Sequence, residues 1–379
     1  MNKKRIVFVT NNFSPYSGGL VSSITAIAEQ LRVMGHEVII ITLDFLANEH
    51  NDPEYVIRIP SWIRFMHRGN HMALPKNAAQ HIRKVLQEFK PGVVHVHHPF
   101  LLGPIAVNQA HKLGIPVVFT YHTMYQDYAH YVPFPKFITK YIIRYKVKKF
   151  CKSVDMIVAP SSAVAEQLQS WKIPTPHTVI PSPIAQLFTH SSSSVKSLGN
   201  TVNVLIVSRF TKEKNLRFII DLVGQLEKPF IVTMVGYGSC YEQLKKYAQN
   251  TLKLSSDRVK FVYKPSKQEV LQSYQDAHVF LFSSTTDTQG IVLAEAMSQG
   301  LPVIALNGPG QRDIIMQDVN GYIVNSQEEM LVYINRMGHS AVHYQQLSAG
   351  AFDTAQRYYP KYITQKLLLL YDELLAKSL

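Results

Sequence analysis

Apolar residues gather in short runs, each followed by a polar turn and then by a stretch with helical spacing. Ile6-Val7-Phe8-Val9 opens the series and reads as a buried strand. The polar loop Asn11-Asn12-Phe13-Ser14-Pro15-Tyr16-Ser17-Gly18-Gly19 follows, and Leu20 to Met34 then repeats at helical spacing with Gly35 as its stop. Val38-Ile39-Ile40-Ile41, Val93-Val94-His95-Val96-His97, Pro116-Val117-Val118-Phe119-Thr120, Met156-Ile157-Val158-Ala159 and Thr178-Val179-Ile180 continue the alternation, with a helix over Ala79 to Phe89. The same pattern restarts at Val204-Leu205-Ile206-Val207 and passes through Phe230 to Val235, Val259 to Tyr263, Val279 to Phe282, Val303 to Leu306 and Tyr322 to Val324. Strand and helix alternating in this way predict parallel sheets covered on both faces, an α/β class with two Rossmann-like, doubly wound units. Ser191-Ser192-Ser193-Ser194 with Gly199 is the natural hinge. It divides the chain into 1–195 and 196–359, with a closing apolar-rich helix from Tyr362 to Leu375.

Composition narrows the class. The 379 residues are 46% hydrophobic and 17% charged, which fits globular domains. No apolar run reaches the ~18 residues of a spanning helix. The first apolar stretch is broken by Asn11-Asn12 and reads as a strand, not a signal peptide. Two cysteines, Cys151 and Cys240, supply no disulfide framework or zinc pattern and fit a reducing cytoplasm. The net charge of +13 is lopsided: residues 1–200 carry 21 Lys and Arg against 10 Asp and Glu, and the remainder is nearly balanced. A basic first half implies an anionic partner such as lipid, phosphate or nucleic acid.

Candidate chemistry falls at the carboxyl ends of the strands, where ligands of such sheets bind. After His278 to Phe282 comes Thr285-Thr286-Asp287-Thr288-Gln289-Gly290-Ile291-Val292-Leu293-Ala294-Glu295-Ala296-Met297-Ser298-Gln299-Gly300-Leu301-Pro302-Val303. Gly290 permits a tight turn into a helix whose amino end favours phosphate. Asp287 and Glu295 would repel phosphate, so they are read as acceptors for hydroxyls; phosphate and hydroxyls together describe a nucleotide-sugar. Ser208-Arg209-Phe210-Thr211-Lys212-Glu213-Lys214-Asn215 ends another strand and offers Arg209 and Lys214 to a diphosphate. Gly236, in Val235-Gly236-Tyr237-Gly238, and Tyr263 end two more strands. Gly18 and Gly19 either meet a ligand with backbone N–H groups or make only a tight turn. His122, in Phe119-Thr120-Tyr121-His122-Thr123, stands at a strand end. His95 and His97 share a strand face without a third ligand, so packing or cleft lining is favoured over zinc. In Lys136-Phe137-Ile138-Thr139-Lys140-Tyr141-Ile142-Ile143-Arg144-Tyr145-Lys146-Val147-Lys148, Lys136, Lys140, Arg144 and Lys148 recur every four residues beside aromatic and aliphatic stripes. That is an amphipathic helix suited to anionic lipid, or a packed helix with a solvated basic edge. Trp62 and Phe65, in Ser61 to Arg68, repeat the theme in an expected loop that would touch lipid or cover an acceptor.

The acidic-x7-acidic stretch, with its Glu-Ala-Met and Gly-Leu-Pro-Val, resembles retaining glycosyltransferases of family 4, which have the GT-B fold. Asp287 stands where that family usually has Glu, and Asn215 where its Glu-Lys-Gly segment has Gly. Thr-Asp-Thr-Gln-Gly, His97-His98-Pro99-Phe100-Leu101-Leu102-Gly103 and Tyr121-His122-Thr123 are similar to the branch that glucosylates diacylglycerol. The resemblance implies two units facing a cleft, with the last helix, 360–379, crossing back onto the first. It implies a donor site of Gly18, Gly19, Arg209, Lys214, Gly236, Tyr263, Thr288, Gln289, Gly290 and Glu295, with His122 and Asp287 at the reacting centre. The donor would be a UDP-sugar, UDP-glucose first. The acceptor would be a membrane lipid, 1,2-diacylglycerol first, then phosphatidylinositol or a soluble sugar. No metal or other cofactor is expected, since no Asp-x-Asp occurs. The enzyme would be cytoplasmic and peripheral at the inner face of the cell membrane. A nucleic-acid-binding protein would need an RNP-type, zinc-knuckle or KH signature, and none is present; a phosphotransferase would need a P-loop, also missing.

Overall fold

The computed structural model describes residues 3–14, 18–46, 51–67, 70–125, 136–189, 196–198, 201–226 and 230–377. It divides into two compact units, Met1–Pro183 with Pro360–Leu379, and Ile184–Tyr359. The chain passes between them at Pro183/Ile184, because Ile184 and Phe188 already belong to the second unit's core. Ser191 to Ser194 and Gly199 lie outside the described residues.

In the first unit the described strands are β1 (Arg5–Val9), β2 (Glu37–Leu43), β3 (Val56–Ile59), β4 (Ser61–His67), β5 (Asn70–Pro75), β6 (Val93–Val96), β7 (Val117–Thr120), β8 (Met156–Ala159) and β9 (His177–Val179). Seven of them form one sheet in the order β3-β2-β1-β6-β7-β8-β9, every described pair parallel. Alternate residues of β1 enter different cores. Val7 and Val9 pack with Val94, Phe119 and Leu102 on one face; Ile6 and Phe8 pack with Ile24, Leu31 and Tyr371 on the other. A strand buried on both faces has to be apolar throughout, which is why these strands show no polar alternation. The helix Pro360–Lys377 supplies Ile363, Leu367, Leu370, Tyr371 and Leu374 to the second of these cores.

The second unit holds β10 (Val202–Arg209), β11 (Phe230–Tyr237), β12 (Val259–Tyr263), β13 (Val279–Phe282), β14 (Val303–Leu306) and β15 (Gly321–Val324). Their order is β12-β11-β10-β13-β14-β15, again parallel. Val204 and Ile206 face one core, Leu205 the other. In both sheets the strand order reverses beside the first strand of the unit, between β1 and β6 and between β10 and β13. Those reversals part the loops at the strands' carboxyl ends and open a crevice for a ligand.

One segment departs from expectation. Ser61–His67 is not a loop but β4, which forms an antiparallel hairpin with β5. Trp62 and Phe65 are thus strand residues, and both are exposed. The run is rich in β-formers, and β5, which begins three residues after His67, pairs with it antiparallel. Arg64 pairs with Asp44 beyond β2 and ties the hairpin to the sheet.

Candidate active site

The second unit's reversal point brings two loops together. At the end of β10, Arg209 lies 3.5 Å from Glu213, and Lys214, in the loop that follows, reaches Asp287 after β13 at 2.5 and 2.7 Å. The loops are also stapled by hydroxyls: Ser283 donates to the Lys214 carbonyl at 2.8 Å and Ser284 to the Glu213 carbonyl at 3.4 Å. Two cations and two carboxylates therefore share one small area, and within it the charges cancel. The Lys214 and Asp287 side chains are 13% and 17% exposed, so their attraction is screened far less than that of a surface pair.

Gly290 has a left-handed backbone (φ 65°) and sits immediately before the helix Ile291–Ser298. That conformation costs glycine nothing, and it turns the chain from the loop after β13 into the helix. Glu295, one turn into this helix, is buried and accepts a bond from the Tyr274 hydroxyl at 3.0 Å. Burial pushes its carboxyl up to about 7, against the pull of the Tyr274 bond.

Gly236 ends the neighbouring strand. A Cβ there would stand 1.8 Å from the Ser208 carbonyl oxygen at a φ of 153°. Only glycine lets β11 press this closely on the Arg209 loop. Tyr263, at the end of β12, stacks on Tyr241 with centroids 4.1 Å apart and keeps part of its ring exposed.

Gln311 and Gly310, which the sequence-based site did not include, tie these loops to the segment after β14. Gln311 is fully buried and donates to the carbonyls of Ser284 at 2.6 Å and Leu306 at 2.9 Å. A Cβ on Gly310 would lie 2.6–2.8 Å from the backbone of Gln289 and Asp287. The Gly308-Pro309-Gly310 run directly after β14 was the available signal, since glycines at a strand's carboxyl end mark close backbone approach. Tyr274 gave no such signal.

In the first unit, Gly18 and Gly19 begin the helix Gly19–Val33 after β1. His122 follows β7, and His97 and His98 follow β6. His97 Nδ1 lies 2.9 Å from His122 Nε2, and His95 stacks on His97 with centroids 4.5 Å apart. His95 itself is held by the Tyr371 hydroxyl at 2.6 Å and Thr120 at 2.7 Å. His98 Nδ1 accepts from the Asn11 amide at 3.2 Å. Burial holds these imidazoles neutral: His122 is lowered to about 3, His95 to about 3 and His98 to about 4.

The basic helix is Lys136–Cys151. Val147, Phe150 and Cys151 enter the core, whereas Phe137 (75% exposed), Ile138, Tyr141 (72%), Ile142 and Tyr145 face out. The packed alternative for that stripe fails, because a different set of apolar residues does the packing. Lys140 is exposed among them, and Arg144 and Lys148 lean over the Trp171 ring at 5.4 and 6.0 Å. The Lys136 side chain lies outside the described residues. No described helix is long and apolar enough to cross a membrane.

These two parallel, doubly wound sheets with their reversal points have the architecture of the GT-B class. The chain belongs to the family 4 glycosyltransferases: residues 17–185 match Glycosyltransferase Family 4 and residues 191–352 match Glycosyl transferases group 1. It is 29% identical to the alpha-monoglucosyldiacylglycerol synthase of Streptococcus pneumoniae, across 86% of this chain and 76% of that protein. With the alpha-monoglucosyldiacylglycerol synthase of Acholeplasma laidlawii it shares 27% identity across 99% and 98%. A GDP-mannose-dependent alpha-mannosyltransferase of Mycobacterium tuberculosis is 27% identical across 84% and 83%. Among solved structures, sucrose-phosphate synthase from Thermosynechococcus elongatus shares the fold at a TM-score of 0.80 and 18% identity, over 99% of this chain and 100% of that one. The HepE protein of Anabaena in complex with UDP and glucose does so at 0.72 and 19%, over 98% and 100%.

Proposed function

We propose that this glycosyltransferase moves glucose from UDP-glucose to 1,2-diacylglycerol at an anionic membrane surface, with retention at the anomeric carbon. One observation carries the lipid half. A soluble-acceptor enzyme has no use for Phe137, Ile138, Tyr141, Ile142 and Tyr145 lying open beside Lys140 on one helix. A basic side chain near an anionic surface contributes about 1 kcal/mol, and a few together with inserted aromatic rings hold an enzyme there reversibly. Trp62, Ile63, Phe65 and Met66 of the hairpin are exposed in the same manner. The two synthases named above, whose names specify glucosyl-diacylglycerol products, favour the same acceptor and sugar.

In this reading Arg209 and Lys214 hold the donor diphosphate, the first as a planar fork and the second as a point charge. Lys214 stays beside Asp287 and bridges it to the phosphate; Asp287 accepts from sugar hydroxyls. Glu295 accepts from the ribose hydroxyls, and Tyr263 offers its ring to the base. The amino end of Ile291–Ser298 and the Thr288, Gln289 and Gly290 backbone add N–H groups for the developing charge. These cations stabilise the leaving diphosphate without a metal. His122 and the Gly18-Gly19 turn meet the sugar and the acceptor. The acceptor oxygen bonds to the anomeric carbon as its bond to the diphosphate breaks. The acceptor proton passes to the departing phosphate oxygen, and UDP leaves.

The deciding assay incubates purified protein with UDP-glucose and diacylglycerol in vesicles containing anionic lipid, with GDP-mannose as a parallel donor and phosphatidylinositol as a parallel acceptor. A glucosyl-diacylglycerol whose glucose keeps the α configuration of the donor supports the reading. Turnover on a soluble sugar with no glycolipid removes the lipid acceptor, and product from GDP-mannose alone removes the donor.

A further inference from the structure

Two helices of the second unit meet through one hydrogen bond, and a single residue ties down the carboxyl ends of both. Tyr274 lies in the last turn of the helix Lys267–Asp276, and Glu295 in the helix Ile291–Ser298. The Tyr274 hydroxyl donates to Oε2 of Glu295 at 3.0 Å. The Tyr274 ring is fully buried, edge-on to Phe188 at 5.6 Å and beside Phe280 at 5.8 Å, so its hydroxyl has little freedom to point elsewhere. Oε1 of Glu295 has no hydrogen-bond partner among the described residues, although the residue is only 8% exposed. A nearly buried carboxyl oxygen without a partner is the exception in a folded chain, and a ligand hydroxyl is the kind of group that satisfies it. Lys196 holds the pair from behind. Its ammonium donates to the carbonyls of Tyr274 at 2.9 Å, Gln275 at 2.6 Å and Ala277 at 2.7 Å, which uses all of its N–H groups. It thereby closes a helix end whose own last turn contains no basic residue. The Lys196 backbone N–H donates to the Ser348 hydroxyl at 3.0 Å, and that hydroxyl donates to the Gly300 carbonyl at 2.7 Å, just past the end of Ile291–Ser298.

We propose that Tyr274 is a positioning residue that aims Oε1 of Glu295 at the donor's ribose hydroxyls, and that Lys196 holds that aim by fixing the two helices to each other. A glutamate side chain turns about several bonds, and nothing on its own helix selects which carboxyl oxygen faces a ligand. With Oε2 held by Tyr274, only Oε1 is left to accept. Tyr274 is fully buried, so it acts through Glu295 and not on the donor itself. Lys196 acts one step further back, through the helix that carries Tyr274 and, by way of Ser348, through the helix that carries Glu295. The ribose end of this inference rests on the reading of Glu295 given above; the hydrogen bonds do not.

The test is calorimetric titration of the full chain with two probes, UDP and its analogue lacking both ribose hydroxyls, 2′,3′-dideoxy-UDP. The unaltered chain should bind UDP more tightly. Tyr274→Phe keeps the packed ring and loses only the hydroxyl. It should weaken UDP roughly 3–10-fold, the worth of about one hydrogen bond, and leave the dideoxy probe within about twofold of the unaltered chain. Lys196→Met keeps the apolar stem, loses the ammonium and should shift the two probes in the same unequal way. A merely structural role would weaken both probes alike, or lower Tm and leave both affinities alone; either result in Tyr274→Phe overturns the proposal. Glu295→Ala, checked for folding by circular dichroism, separates this failure from failure of the ribose reading. If Glu295→Ala loses the preference for UDP and Tyr274→Phe keeps it, Glu295 still holds the ribose and the positioning role is gone. If Glu295→Ala keeps the full preference, the ribose contact itself fails and the proposal falls with it. An unchanged preference in Lys196→Met, with Tyr274→Phe as expected, removes the role of Lys196 alone.

Discussion

Glu295 is the residue whose buried charge can be read directly from solution. Its carboxyl rises from the ordinary 4.5 to about 7 because burial in the helix Ile291–Ser298 disfavours the charge by more than the Tyr274 hydroxyl bond favours it. The sign follows from linkage. Below pH 4.5 the carboxyl is protonated in both folded and unfolded chains, and the stability it allows is fully present. As pH rises from 4.5 to 7 the unfolded chain loses its proton first, so stability falls, and above 7 it levels off. A shift of that size corresponds to roughly 3 kcal/mol at 1.36 kcal/mol per unit. In a unit of this length each kcal/mol moves Tm by about 2–4 °C. Glu295→Gln cannot ionise, so its Tm relative to the unaltered protein should climb by roughly 6–12 °C between pH 4.5 and 7.5. Calorimetry at several pH values measures this. Donor binding supplies the counterpart. Hydroxyls that donate to Glu295 favour its charged form, so UDP-glucose affinity should rise with pH up to about 7 and then flatten. A Tm difference between Glu295→Gln and the unaltered chain that stays constant across this range would refute the account.

Three further outcomes follow from separate contacts. Lys214→Ala should lower kcat/KM for UDP-glucose by roughly 10²-fold or more, because it removes a phosphate cation and leaves Asp287 unpaired; steady-state kinetics reads this. Gly236→Ala should unfold the second unit or cut its Tm steeply, since the added methyl would meet the Ser208 carbonyl oxygen at 1.8 Å; circular dichroism against temperature checks it. Lys140→Glu with Tyr141→Ser should weaken co-sedimentation with anionic vesicles by at least fivefold, about 1 kcal/mol, while Tm stays put because both side chains are exposed.

The parts of the fold that could be read in advance are those set by neighbours along the chain. Strands buried on both faces advertise themselves as apolar runs, and Gly35, Gly290 and Gly300 mark where the chain must take a positive φ. The hairpin β4–β5 escaped because its strands are flanked by polar residues and expose their apolar ones, the opposite of a core strand. The pairing of Lys214 with Asp287 spans 73 residues, and that of His97 with His122 spans 25. Distances of that kind come from strand order, which no local period encodes. Helix Lys136–Cys151 shows the same division: its stripes were visible, but whether the aromatic stripe was packed or open depended on Val147 and Phe150 doing the packing instead.

That division explains how the acids and cations of the second unit are used. Arg209 and Lys214 each have a carboxylate at hand, so the loops after β10 and β13 fold without burying unpaired charge. The cost of holding two cations at a future phosphate site is met by Glu213 and Asp287 before any donor arrives. Glu295 has no cation beside it among the described residues and stays protonated up to about pH 7, which again avoids a bare buried charge before a donor binds. A donor that brings two phosphates and a set of hydroxyls supplies what each group lacks: anions for the cations and hydrogen-bond donors for the carboxylates. The arrangement therefore favours a ligand carrying both over free phosphate or free sugar, and UDP with glucose added separately should bind less tightly than UDP-glucose by more than the lost tether accounts for.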